Sequence, residues 1–312
     1  MRRILKWVGI VLGGLIGLLV VVLVSLMIYG SATFKRALPN RPLYPITADT
    51  SEAGVARGEY LARTVIGCDG CHSPAPANGE PLPADAPLIG QFQNITFGPI
   101  QAVFATPNLT PDVDTGLGGW TDAEIARAIR EGVDKDGVEL VIMPSNTYHI
   151  LSDGDVAAIV GYLRGQEPVH NQVPLFQLNA FGKVALALKL FGPSPLGEPI
   201  TAPPAGPSAD PVSQGGYLLR LAGCDFCHGA NLAGGPIPFS EPGTMPAANL
   251  TPGGELAGWS EADFLVAIHT GVTPSGRVLD KAMPRDDWSQ MTDEDLAALF
   301  AYLKSVPRAT SK

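Results

Sequence analysis

Two five-residue runs, Cys68-Asp69-Gly70-Cys71-His72 and Cys224-Asp225-Phe226-Cys227-His228, contain all four cysteines of this 312-residue chain. Thiols three positions apart, followed at once by an imidazole, suit the covalent attachment of a c-type haem. The two thiols add across the vinyl groups of one porphyrin edge as thioethers, which leaves the histidine beneath the iron. Cys68, Cys71, His72, Cys224, Cys227 and His228 are therefore the candidate cofactor-binding residues, and two covalently bound haem c groups are expected, with His72 and His228 as iron ligands. A four-sulfur zinc site is one competing reading, but the thiol pairs lie far apart in the chain and zinc would not need the histidines. A redox-active dithiol is another, and it needs a strand–helix context that the flanking sequence lacks.

An electron-transfer haem needs a sixth ligand, and a thioether holds the reduction potential above the value a second histidine would give. Met143 and Met283 are the candidates, because each precedes a proline at matching places after the two cysteine runs. Met27, Met245 and Met291 lack such a match and read as gap-filling core. His149 is an alternative to Met143 as ligand, although Ser289 stands at its counterpart position; His170 and His269 read as surface or helix-end residues. Trp120 and Trp259 fit either a haem edge or plain core. No catalytic residue is assigned, since no nucleophile or acid–base cluster remains once these ligands are set aside.

The elements that must position these residues form an internal repeat. Gly58-Glu59-Tyr60-Leu61-Ala62-Arg63 precedes the first cysteine run as Gly215-Gly216-Tyr217-Leu218-Leu219-Arg220 precedes the second. After each run come Asn108-Leu109-Thr110-Pro111 or Asn249-Leu250-Thr251-Pro252, then Gly119-Trp120 or Gly258-Trp259, then Met143-Pro144 or Met283-Pro284, and last Tyr162-Leu163 or Tyr302-Leu303. Four capping boxes are expected to open helices: Thr121 with Glu124, Ser260 with Asp263, Ser152 with Asp155, and Thr292 with Asp295. No run alternates apolar and polar residues convincingly, so no sheet is expected.

Residues 1–34 read as a membrane anchor. The stretch Trp7 to Ile28 has no charged side chain and, at 1.5 Å per residue, spans roughly the ~30 Å of a bilayer's hydrocarbon. A cleaved signal peptide is the alternative, but its apolar region is usually about 7–15 residues. Arg2, Arg3 and Lys6 favour a cytoplasmic amino terminus, opposed in part by Lys35, Arg36 and Arg41. Residues 35–50 read as a tether, 51–170 and 213–312 as two domains, and 171–212 as a linker with a Pro-, Gly- and Ala-rich spacer from Pro193 to Pro211. Within that linker the apolar stretch Phe176 to Leu190 reads as a helix packed between the domains; a docking surface is the other reading. The net charge is −9, and −12 outside residues 1–34, which argues against nucleic acid and suits either solubility or a basic protein partner.

The order Cys-x-x-Cys-His, Asn-Leu-Thr-Pro, Gly-Trp, Met-Pro and closing Tyr-Leu resembles the class I cytochrome c domain. In particular it is similar to the multihaem cytochrome subunits of membrane-bound alcohol, aldehyde and gluconate dehydrogenases. The resemblance implies an all-α fold of two tandem class I cytochrome c domains after a transmembrane helix, the first and last helices of each domain crossing near the haem. It implies single-electron transfer on the periplasmic face of a bacterial inner membrane, between a dehydrogenase or quinol-oxidising donor and a cytochrome or oxidase acceptor. A haem enzyme, such as a dihaem peroxidase or thiosulfate-oxidising cytochrome, is the alternative from another class, and a haem-based sensor is a third.

Overall fold

The computed structural model describes residues 2–33, 38, 40–76, 82–140, 142–190, 196–238, 244–280 and 282–310. Lys35, Arg36 and Pro193 lie outside the described residues.

The chain opens with α1 (Arg2–Thr33), a 32-residue helix long and apolar enough to cross a membrane. Described residues of the expected tether, residues 35–50, are pinned along the first repeat copy. The Asp49 N–H donates to the Ala157 carbonyl at 2.9 Å, and Arg41 bridges the Glu131 carboxylate (3.0 Å) and the Gly197 carbonyl (2.6 Å).

One order of helices occurs twice. In the first copy α2 (Glu52–Glu59) runs through a π-helical turn, Tyr60–Val65, into α3 (Cys68–His72), and α4 (Asp122–Glu131), α5 (Ser145–Tyr148) and α6 (Asp153–Arg164) follow later in the chain. Between α3 and α4, β1 (Gln91–Phe97) and β2 (Ile100–Thr106) pair antiparallel, and after α6 come β3 (Gln177–Leu178) and α7 (Ala180–Ala187). The second copy is α8 (Pro211–Leu221), α9 (Cys224–His228), α10 (Glu261–Thr270), α11 (Arg285–Trp288) and α12 (Asp293–Ser305). In each copy the first helix crosses the last at a glycine: a Cβ on Gly58 would strike the Ala158 carbonyl, and one on Gly215 the Ala298 carbonyl. One continuous core, with Leu61, Ile125 and Ile159 from the first copy and Leu218, Phe264 and Leu296 from the second, joins them.

The chain is helix-rich but not all-α, so the expectation of no sheet is corrected. β1 and β2 join through a two-residue turn in which Gly98 takes φ 56°, the positive value that hairpin turns require and glycine supplies without strain. Val103, Phe104, Ile95 and Phe97 are strong sheet formers, and β3 extends the hairpin through Ala102 opposite Leu178. The helix expected between the domains is corrected too. Only residues 180–187 are helical, and α7 packs against α1 and the sheet, where Ala102, Leu178 and Leu186 form a separate buried cluster.

Two capping boxes form fully, at Thr121–Glu124 and Ser260–Asp263. At Ser152 and Thr292 only the hydroxyl half forms. Their acids turn instead to the opposite copy. The Tyr217 hydroxyl donates to Asp155 at 2.7 Å while accepting the Ser152 N–H, and the Tyr60 hydroxyl donates to Asp295 at 2.7 Å while accepting the Thr292 N–H. Arg57 adds an ion pair to Asp155 at 3.0 Å. The repeated tyrosine of the Gly-x-Tyr-Leu motif thus clasps each copy to the amino end of the other's closing helix.

Candidate cofactor-binding sites

Gly67 and Gly223, each at φ 68°, turn the chain from the preceding helix into the cysteine run, a left-handed conformation that a side chain would strain. One short helix then carries Cys68, Cys71 and His72, and another Cys224, Cys227 and His228. The four cysteines form no disulfide. Burial, and next the neighbouring Asp69 carboxylate, pushes the Cys68 thiol up to about 12; burial and Asp225 do the same to Cys224. A redox-active dithiol needs an easily formed thiolate, which burial beside a carboxylate disfavours.

The histidines are held alike in both copies. His72 Nδ1 lies 2.9 Å from the Pro107 carbonyl, and His228 Nδ1 lies 2.7 Å from the Ala248 carbonyl. A carbonyl can only accept, so Nδ1 carries the proton and Nε2 keeps its lone pair for a metal. Burial lowers both imidazole pKa values below the ordinary range, which favours the neutral, ligating form. The accepting carbonyls immediately precede the Asn-Leu-Thr-Pro motifs, which gives those motifs a role. The Asn108 carboxamide oxygen accepts from the Thr110 N–H at 3.0 Å and its amide donates to the Val169 carbonyl at 2.8 Å; Asn249 repeats this with Thr251 at 2.9 Å and Ala309 at 2.8 Å. The turn is locked, and the carbonyl before it is aimed at the histidine.

Met143 and Met283 are half-buried. Each Met-Pro pair makes an inverse γ-turn. Pro144 has φ −79° and ψ 53°, with the Ser145 N–H on the Met143 carbonyl at 2.8 Å; Pro284 has φ −69° and ψ 65°, with the Arg285 N–H on the Met283 carbonyl at 2.7 Å. Each proline stands immediately before the short helix that follows. In the first copy that helix brings Tyr148 beside the thiols: burial, and then the Cys68 and Cys71 sulfurs, raises its phenol above the usual range. Trp288 takes the corresponding place in the second copy. Trp120 and Trp259 are half-buried against the core, and their carbonyls accept from Arg164 and Lys304 of the closing helices.

Two of the remaining histidines are held by backbone carbonyls. His149 Nδ1 lies 3.1 Å from the Arg130 carbonyl, and a Cβ on Gly197 would run into its ring, so backbone holds and covers it. His269, the counterpart of Arg130, reverses that latch: Nδ1 lies 2.8 Å from the Ser289 carbonyl and Nε2 2.9 Å from Asp293, while Arg130 reaches Asp153 at 2.8 Å. It is therefore more than a helix-end residue. His170 is exposed, 3.6 Å from Asp112. Met291 is buried as expected, but Met245 is exposed rather than core, and Met27 is half-buried on α1.

The Ser289 carbonyl first, and the Asp293 carboxylate second, raise the His269 pKa above its ordinary value. A raised folded-state pKa contributes stability that is full below the unfolded value of about 6.5 and is lost as pH climbs through the folded one. The urea midpoint of the wild-type protein is expected to fall between about pH 6 and pH 8.5 by more than that of His269→Gln, which keeps a donor but cannot charge. Equal falls would remove His269 from the pH dependence.

The donor set fits haem c at both places: paired cysteines on one short helix, and at the next position a histidine whose Nδ1 is already engaged by a backbone carbonyl. Comparison with known proteins agrees. The family model described as cytochrome c matches residues 213–307. A dihaem cytochrome c-type protein of Cereibacter sphaeroides is 32% identical over 286 residues, covering 83% of this chain and 87% of that one. The fructose dehydrogenase cytochrome subunit of Gluconobacter japonicus is 28% identical, covering 86% of this chain, and the cytochrome c subunit of the quinone alcohol dehydrogenase of Gluconobacter oxydans is 28% identical, covering 83%. The chain spans 55% and 56% of the lengths of those two subunits. The paired attachment motifs, the locked histidines and this likeness along most of its length together make the chain a member of the cytochrome c family.

Proposed function

We propose that the chain is a membrane-anchored dihaem cytochrome that passes single electrons on the periplasmic face of a bacterial inner membrane. Residues 51–170 and 213–312 each form one haem domain. Cys68 and Cys71, and Cys224 and Cys227, hold the porphyrins as thioethers; His72 and Met143 ligate one iron, His228 and Met283 the other. Bound haem supplies a one-electron iron couple, and the methionine sulfur keeps its potential high. With both axial positions taken, no substrate site remains at the metal, so the chain serves as a carrier rather than an enzyme.

The observation that carries the reading is the duplicated histidine lock: Nδ1 rests on a backbone carbonyl at 2.9 and 2.7 Å, on the same element of the repeat each time. The named roles of the relatives support a donor that is a dehydrogenase, and the acidic body suits a basic cytochrome or oxidase acceptor. The charge-free run of α1 suits a single span, Arg2, Arg3 and Lys6 staying in the cytoplasm. A redox titration of the purified protein followed optically is expected to give two low-spin, one-electron centres. A five-coordinate, high-spin iron in the native protein would overturn the carrier role. Copurification from gently solubilised membranes is expected to bring down a dehydrogenase subunit.

A further inference from the structure

The hairpin, β3 and α7 form a small unit outside the shared core, and it meets α1 directly. A Cβ on Gly30 would collide with the Lys183 carbonyl, so the backbones of α1 and α7 touch there; Gly30 is buried and Leu26, Met27, Ser31 and Thr33 are half-buried, whereas the helix is exposed from Arg2 to Ser25. The Asn179 side chain, which caps α7, also donates to the Pro99 carbonyl in the hairpin turn at 2.9 Å. Turn, helix and anchor are thus one connected piece.

The anchor fixes the depth of that piece. Its strongly apolar run ends at Ile28 and gives way to Tyr29, Gly30 and Ser31, so Gly30 lies two residues beyond it, about 3 Å further along the axis at 1.5 Å per residue. If α1 spans the bilayer, α7 crosses it at the level of the lipid headgroups.

What the piece shows at that level is apolar. Phe181 is 62% exposed, Leu190 73% and Phe97 81%, and Leu188 shares the face of Phe181 one heptad on. Pairing of Phe97 with Ile100 and Ile95 with Ala102 puts both β1 side chains on the sheet face that α7 packs against, at the edge that α7 leaves uncovered. The charge is equally distinct. Residues 86–111 have no charged side chain and residues 171–190 have only Lys183 and Lys189, whereas the chain outside residues 1–34 carries −12. An acid-free face with two lysines suits an anionic lipid surface, from which the rest of the body is repelled.

We propose that this face, Phe97, Ile95, Phe181, Leu188 and Leu190 flanked by Lys183 and Lys189, rests in the headgroup layer of the bilayer that α1 crosses. It is a second, interfacial contact that fixes how the haem-bearing body stands on the membrane. The proposal rests on the reading of α1 as a span.

The test uses the full-length holoprotein in vesicles of phosphatidylcholine and phosphatidylglycerol. Single cysteines replace Phe97, Phe181 or Leu190, with Leu18→Cys in mid-anchor and Val278→Cys on the second copy as references, and the unsubstituted protein gives the labelling baseline. Each carries a nitroxide, and collision with oxygen is compared with collision with a water-soluble nickel chelate. Since the side chains are exposed, the substitutions leave packing unchanged, which covalent haem content checks. The face sites are expected to favour oxygen severalfold more than Val278→Cys, and less than Leu18→Cys. Face sites as open to nickel as Val278→Cys, beside a shielded Leu18→Cys, would overturn the proposal and leave the span standing. A nickel-accessible Leu18→Cys would overturn both. Shielding that appears only when a copurified subunit is added back would assign the face to a protein and sink the lipid contact.

Discussion

Replacing Cys224 and Cys227 together by alanine is expected to halve the covalent haem, leaving one group on the polypeptide, at Cys68 and Cys71. His228 would still present its nitrogen, but without thioethers a haem there is lost when the protein is denatured. Mass analysis of the unfolded chain reads the outcome directly. Two haems retained would show that the second motif is not an attachment site. Because Cys224 packs against the core that both copies share, the loss should also reach the first copy. A group that binds the folded state alone stabilises it by linkage, so the unfolding midpoint of the whole chain is expected to drop.

Met143→His is expected to keep both haems attached and to move one potential downward, by a sizeable part of the ~0.8 V that axial ligands span. Imidazole favours the oxidised iron relative to a thioether, and the inverse γ-turn at Pro144 would still present the new side chain toward the same space. The second centre, ligated through Met283, should hold its potential. A titration that shows two unchanged couples would remove Met143 from the iron, and a shift in both would mean that the copies do not divide the ligands as proposed.

Much of this was legible because the chain repeats itself. Duplication separated Met143 and Met283 from Met291 and Met245, and it exposed the Asn-Leu-Thr-Pro and Gly-x-Tyr-Leu motifs before either had a role. What those motifs do was not legible. The carbonyls that lock His72 and His228 belong to Pro107 and Ala248, whose side chains differ, so the sequence bore no mark of a backbone function. The acids at Asp155 and Asp295 have the spacing of a capping box, and local pattern cannot tell that a tyrosine from the other copy takes them first. The hairpin escaped for another reason. β1 alternates Phe92, Asn94 and Thr96 against Gln93, Ile95 and Phe97, which leaves apolar residues on both faces, and β2 is apolar nearly throughout. The Gly98-Pro99 turn was the readable signal, since glycine at the first central position favours a tight hairpin.

The paired tyrosine clasps carry one consequence further. Tyr60 to Asp295 and Tyr217 to Asp155 are the same contact made in both directions, which is the self-complementary arrangement of a twofold homodimer. Joined in one polypeptide, the two halves no longer need to find each other in solution, and neither must remain identical to its twin. That freedom is visible where the first copy has Arg130 and Tyr148 and the second has His269 and Trp288 at the matching places, and it leaves the two proposed haem sites free to differ in character, which the sites of a symmetric pair could not.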